Sequence, residues 1–179
     1  MRLMLLCLLV LPACALARDW QVDMTNSSLT FADTYQNGPF TGKFARFDAT
    51  IAFDPADLSK NKFDVTVDMT SVDTQSSERD DTLRTAEFFD TTKFSHAHFI
   101  TQSFGAGRDG GLVANGLLTI RDQTKPVTLK VTFAGDEKSA TLDVDTTLNR
   151  LDFGLGASND WIDIGRDVTV HGHLVLTAK

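Results

Sequence analysis

Cysteine is almost missing from this chain: there are two, Cys7 and Cys14, and both fall within residues 1–17. Past that segment, thiol catalysis, disulfides and cysteine–zinc sites are excluded. Basic charge is scarce too, with 17 Lys and Arg against 24 Asp and Glu and a net charge of −7. A general nucleic-acid binder needs clustered Lys and Arg to meet phosphate, and docking on an anionic membrane needs the same. Neither class fits. The chain has no linker, low-complexity tract or charge block, so nothing divides it. It has no Gly-x-Ser-x-Gly elbow, phosphate loop or dinucleotide-binding glycine pattern. Ser, His and Asp all occur, so a triad assembled in space stays open. Polar aromatics are rare: one Tyr and two Trp stand against 13 Phe, which suggests a large interior with few polar handles.

Residues 1–17 read MRLMLLCLLVLPACALA. Arg2 gives a positive start, the apolar run Leu3 to Leu11 is too short to span a bilayer, and Ala15-Leu16-Ala17 fits the small-x-small rule. The segment therefore predicts a signal peptide over 1–17, a single domain over 18–179, and a periplasmic or secreted location. Leu11-Pro12-Ala13-Cys14 also resembles a lipoprotein cleavage site, with lipidation at Cys14. An uncleaved anchor is the third reading.

The whole sequence is 42% apolar, too much for disorder, and past residue 17 it alternates with a period of two. Phe63 to Met69, Val127 to Phe133 and Val168 to Leu174 each place apolar residues at every second position. Such strands have one face buried and one wet, which means antiparallel sheet. Further strands are expected at Trp20–Asp23, Ser28–Tyr35, Phe44–Phe53, Phe94–Phe104, Leu112–Arg121, Ala140–Leu148 and Arg150–Phe153. Turn signals separate them at Asn37-Gly38-Pro39, Asp54-Pro55, Gly107–Gly111 and Gly135-Asp136. One stretch departs from alternation. Ser77-Glu78-Arg79-Asp80 reads as a capping box, predicting a short helix to Ala86, with Phe88 and Phe89 following. The expected fold class is all-β: an eight-stranded antiparallel barrel with a short helix, since closure removes sticky edges. Such a barrel is either filled by side chains or holds one small ligand.

The order of motifs resembles the YceI-like family, over Trp20 to Ala178. The resemblance is carried by Trp20, Asp23, Ser27 and Phe31, then Gly42-Lys43-Phe44 and Phe47. Thr74, Arg79-Asp80, Leu83 and Glu87-Phe88-Phe89-Asp90 follow, then Phe94 and Phe99. Gly116-Leu117-Leu118-Thr119-Ile120 with Thr124-Lys125-Pro126-Val127 is the most specific stretch. Arg150 to Gly154 and Ile164 to Val168 complete it. The resemblance implies a lipocalin-like barrel with an elongated apolar cavity. It implies a periplasmic or secreted carrier for a long-chain isoprenoid, an isoprenoid quinone relative or a fatty-acid derivative. No cofactor and no enzyme activity are implied. A membrane cytochrome of the b561 type and a second copy of the chain are the candidate protein partners. In one place the chain departs from the family pattern: an early His-Ser pair is here Asn26-Ser27.

Residues expected to line such a cavity are Phe31, Phe44, Phe63, Val65, Val67, Met69, Phe88, Phe89, Phe99, Leu117, Val131, Phe133, Phe153 and Trp161. A solid core of the same composition is the alternative. Arg150 and Arg166, with Asp152 and Asp167, are candidates for a head group at the mouth or for charge pairing at strand ends. Arg79, Asp80, Asp81 and Arg84 read as the solvated face of the helix. His96-Ala97-His98 and His171-Gly172-His173 place histidines two apart on strands, but Ala97, Phe99, Val170 and Leu174 claim the inward face. The histidines are therefore expected to face water, with no metal site. Two rivals to the carrier remain: a filled barrel serving as an extracytoplasmic partner module, and a barrel hydrolase or isomerase with a nonlocal site.

Overall fold

The computed structural model describes residues 18–179; the expected signal peptide and the lipidation motif at Cys14 lie outside the described residues. Among the described residues, eleven strands form one antiparallel sheet. They are β1 (Asp19–Val22), β2 (Ser28–Tyr35), β3 (Gly38–Phe44), β4 (Phe47–Ala52), β5 (Lys62–Asp68), β6 (Val72–Asp73), β7 (His96–Ala106), β8 (Leu112–Ile120), β9 (Gln123–Gly135), β10 (Ser139–Asn149) and β11 (Asp167–Ala178). Pairing of β1 with β11 closes the ring β1-β4-β5-β7-β8-β9-β10-β11. The sheet is thus an eight-stranded barrel in which each neighbour in space is a neighbour in sequence once three broken strands are joined. These are β1 with β2, β3 with β4, and β5 with β6.

The breaks have a shared effect. Trp20 and Val22 point inward before the turn at 23–27, and Leu29 and Phe31 point inward after it, so the alternation changes parity. Phe40 and Phe44 against Ala49 and Ile51 show the same change across 45–46, as do Phe63 and Met69 against Val72 across the 3₁₀ turn Met69–Ser71. The joins are pinned. The Ser27 hydroxyl accepts the Val175 N–H at 2.9 Å, and Asp68 accepts from Thr70 N, Thr70 Oγ1 and the Arg46 guanidinium at 2.6–2.9 Å. Asn26 is exposed and donates to Asp23 at 2.8 Å, so the position where the family pattern has histidine belongs to an outer turn.

Beyond these joins β6 pairs with β3 and not with β7. The gap is filled by residues 74–95, which carry the helix α1 (Ser77–Arg84) and then Phe88 and Phe89. Ser76 rather than Ser77 is the N-cap, accepting from Arg79 N. Asp80, expected to face solvent, is buried and reaches back to Thr74 N and Oγ1 at 2.8 and 2.7 Å. Arg84 likewise turns in to donate to the carbonyls of Thr70 and Val72. Arg150–Phe153, expected as a strand, is a 3₁₀ turn capped by Asn149, because the chain bends at the end of β10 to cross the barrel rim.

Two apolar clusters occupy the two ends. The end away from α1 is filled. Trp20, Phe53, Phe63, Phe104 and Phe133 form one connected stack, with ring centroids 4.8 Å apart for Phe53–Phe133 and 4.9 Å for Phe63–Phe104. Trp20 Nε1 donates to the Phe53 carbonyl at 3.0 Å, so its one polar atom is satisfied inside the plug. Ile51, Phe53, Phe63, Leu142 and Leu176 are fully buried here, and each such side chain stabilises the fold by about 1.5–3 kcal/mol.

Candidate ligand cavity

At the other end the inward side chains stop short of one another. They leave a cavity of about 600 Å³ between the aromatic plug and the rim formed by α1, the β2–β3 hairpin and the segment 150–166. Its walls come from every quarter of the barrel, because the inward parity of the strands is mostly apolar: Leu29 and Phe31 on β2, Val65 and Val67 on β5, Leu118 and Ile120 on β8, Val144 and Leu148 on β10. Gly42 on β3 makes room for one of these rings. A Cβ there would lie 2.4 Å from the Phe31 ring, so only glycine lets Phe31 lie flat across the strand. Phe31 and Phe44 are 5.4 Å apart, Phe44 and Phe89 are 6.0 Å apart, and Phe88 meets the edge of Trp161 at 5.0 Å.

Of the residues expected at a cavity, Phe31, Phe44, Val65, Val67, Met69, Phe88, Phe89, Phe99, Phe153 and Trp161 border it, as does Arg150. Phe63, Val131 and Phe133 belong instead to the packed end. They have the right parity and the wrong height. Leu117 faces outward between Ile100 and Pro126, since Gly116, Leu118 and Ile120 take the inward parity of β8. Arg166 is exposed in the loop before β11, where its carbonyl accepts the Arg150 N–H. Sequence reasoning did not find Asp33, Tyr35, Phe40, Leu129, Leu155, Ile164, Val168 or Val170 as lining residues. For those on strands the signal was present, because they continue alternations whose other members were named.

Four charged residues border the cavity: Asp33, Glu78, Arg79 and Arg150. Arg150 is buried and spends its whole guanidinium on the chain. Nε donates to Gly165 O at 2.7 Å, Nη1 to Leu155 O and Gly156 O at 2.6 Å each, and Nη2 to Trp161 O and Ile164 O at 3.0 and 3.2 Å. All five N–H bonds have carbonyl partners, and burial pulls its pKa below the usual guanidinium value. Arg150 is therefore the tie that gathers 155–165 over the barrel rim, and it has no donor left for a head group. Arg79 lies over the Phe40 ring at 4.4 Å and donates to Thr74 O at 3.4 Å. Asp33 points inward from β2 and is 9% exposed. Burial raises its pKa above the usual carboxylate value, with the Thr34 N–H and the Arg150 charge opposing that shift.

The histidines all sit on the outer wall. His98 meets Asp64 at 2.8 Å, His171 meets Asp145 at 2.8 Å, His173 meets Asp143 at 2.6 Å, and His96 meets the Ser95 hydroxyl at 2.8 Å. β7 and β11 are separated by three strands, so the two His-x-His pairs do not meet.

Comparison with known proteins agrees with this architecture. A protein of Shewanella baltica, described as a UPF0312 protein, is 30% identical over 177 residues, covering 92% of each chain. The crystal structure of Burkholderia cenocepacia BcnA superposes with a TM-score of 0.80 at 27% identity, covering 87% of this chain and 99% of that one. A domain of Saccharophagus degradans, described as polyisoprenoid binding and implicated in plant cell wall breakdown, shares the fold at a TM-score of 0.70 and 17% identity. That match covers 92% of this chain and all of that one. The sequence profile of the YceI-like domain matches residues 20–176, nearly the whole barrel from Trp20 on β1 to Leu176 on β11, and the chain belongs to the YceI-like family.

Proposed function

We propose that this protein is a periplasmic or secreted carrier that holds the apolar tail of a long-chain isoprenoid or related amphiphile inside the barrel. The observation that carries this reading is the asymmetry of the interior: one end is sealed by stacked aromatic rings, the other encloses about 600 Å³ of apolar-walled space. A ligand pocket of this size and lining is the ordinary form of a small-molecule site. At about the 30 Å³ that one water occupies in the liquid, it takes roughly twenty heavy atoms. Burying that many CH₂-sized groups at about 0.8 kcal/mol each gives a gross gain near 16 kcal/mol, enough to exceed the usual costs of immobilising a ligand. The Saccharophagus domain, described as polyisoprenoid binding, supports the choice of ligand class.

Binding needs no chemical step here. With all four histidines on the outer wall, none can act as a base inside the cavity. The net charge of −7 keeps a loaded carrier soluble and away from anionic surfaces.

The test is a native mass spectrum of the purified protein, taken beside a solvent extract of the same sample. The expected result is one bound mass whose fragments carry a prenyl or acyl chain. A protein that stays empty after incubation with prenyl quinones, prenyl alcohols and fatty amides overturns the carrier and favours a barrel that serves a protein partner, such as a membrane cytochrome of the b561 type.

A further inference from the structure

Asp33 is the odd member of the alternation Leu29, Phe31, Asp33, Tyr35, all of which face the cavity. The residue is buried, and its Oδ1 accepts one hydrogen bond, from Thr34 N at 2.6 Å. The cation whose charge acts on it, Arg150, has given all five N–H bonds to carbonyls. The other cation on the cavity wall, Arg79, is laid on Phe40 and bonded to Thr74. The other carboxylate oxygen of Asp33 has no partner among the described residues and is not sealed from solvent, so it opens on the cavity, where a donor carried by a ligand can complete it.

The surrounding backbone is shaped to keep the carboxylate there. Gly165 donates its N–H to Thr34 O at 2.9 Å and packs directly on Asp33. A Cβ on Gly165 would lie 2.1 Å from Asp33 Oδ1 and 2.7 Å from Thr34 Oγ1. Any other residue at 165 forces the carboxylate to move.

We infer that Asp33 is the head-group acceptor of the cavity, and that the protein selects amphiphiles whose polar end donates a hydrogen bond — a hydroxyl, a hydroquinone or an amine — over those with an anionic end. This rests on the reading that an apolar tail fills the cavity. A phosphate or carboxylate head would meet the Asp33 charge with no free guanidinium to balance it. A hydroxyl or ammonium would supply the missing donor, and hydrogen bonds to a charged partner are about twice as strong as neutral ones. The remaining charged group on the wall, Glu78 on α1, has the same sign as Asp33 and favours the same heads.

The experiment uses four probes with one C20 prenyl tail, ending in a primary amine, a hydroxyl, a methyl ether or a carboxylate, titrated by calorimetry into the full protein. The expected order places the amine and the alcohol at least roughly tenfold tighter than the ether and the carboxylate. In Asp33→Asn, whose amide oxygen still accepts from Thr34 N, the advantage of the amine over the carboxylate falls by at least about tenfold. Gly165→Ala, which displaces the carboxylate while keeping its charge, gives a loss of the same kind, and thermal melts confirm that both variants fold. Equal affinity for all four probes, a carboxylate that binds tightest, or a ranking unchanged in Asp33→Asn overturns the inference and leaves tail burial standing. Failure of every probe to bind, the ether included, overturns tail burial and the inference with it.

Discussion

Replacing Arg150 separates two roles that an arginine at a barrel mouth can have. If it ties the loop, its removal costs stability; if it holds a head group, its removal costs affinity for anions. The geometry favours the first. Five hydrogen bonds from a charged donor, at about 1.5–3 kcal/mol each, would sum to about as much as the 5–15 kcal/mol that holds a whole domain together. The full sum is therefore never lost: in Arg150→Ala the segment 155–165 peels away and its carbonyls find water. The cost then resembles that of breaking any buried charged network, about 3–5 kcal/mol. At about 2–4 °C per kcal/mol for a chain of this size, Tm falls by roughly 6–20 °C. Arg150→Lys keeps the charge but has three donors in place of a planar fork, so it recovers only part of the loss. The assay is thermal melting by circular dichroism beside limited proteolysis, and new cleavage between Leu155 and Gly165 is expected before the barrel itself unfolds. An Arg150→Ala protein that melts within about 1 kcal/mol of wild type and loses only affinity for anionic ligands would refute the argument.

Three other perturbations follow from the same structure. Phe53→Ala removes a fully buried ring from the centre of the plug; it costs about 3–5 kcal/mol in urea unfolding and lets longer tails enter, read as a shift in chain-length preference. Asp33→Asn stabilises the free protein at pH 7. Its pKa is raised in the fold, so the stability linked to its protonated form is present below the unfolded value of 3.8 and lost as pH rises through the folded one. The gap in Tm between variant and wild type should therefore close as the pH is brought below 3.8. Asp68→Ala has the opposite dependence. The Thr70 hydroxyl, and then Arg46 and the Thr70 N–H, hold its carboxyl below the usual range against the opposing effect of burial. Its loss costs about 1–2 kcal/mol at neutral pH, and the deficit fades as acid protonates the wild-type carboxyl.

Period-two alternation made the barrel legible, because each strand has to bury one face and the faces are written in Phe, Val and Leu. It failed where the parity changes. In β7, Phe99 and Phe104 both face inward although an odd and an even number cannot share a face of a regular strand. A register shift between Thr101 and Ser103 turns the chain over, and Phe104 then joins the plug. Nothing in the sequence His96–Ala106 marks that bulge. The Arg150–Phe153 turn was misread for a related reason: Leu151 and Phe153 alternate with polar residues as a strand would, but only Phe153 is buried and the chain is leaving the sheet.

Height along the barrel is harder to read than face. Phe63 and Val65 are neighbours on the inward face of β5, yet Phe63 is sealed in the plug and Val65 borders the cavity. The boundary between them is set by what reaches across from other strands: Phe53 and Phe104 meet Phe63, whereas Val65 and its cross-strand partner Phe99 border the cavity. Those partners lie ten to some forty residues away in sequence, and their number decides whether a small barrel is solid or hollow. Composition gives the stock of rings and alternation gives their side, but the depth at which the rings run out is a property of the closed sheet. The same holds for charge. Arg150 and Asp33 are 117 positions apart, and only closure through β11 shows that the arginine is already spent on carbonyls while the carboxylate beside it is not.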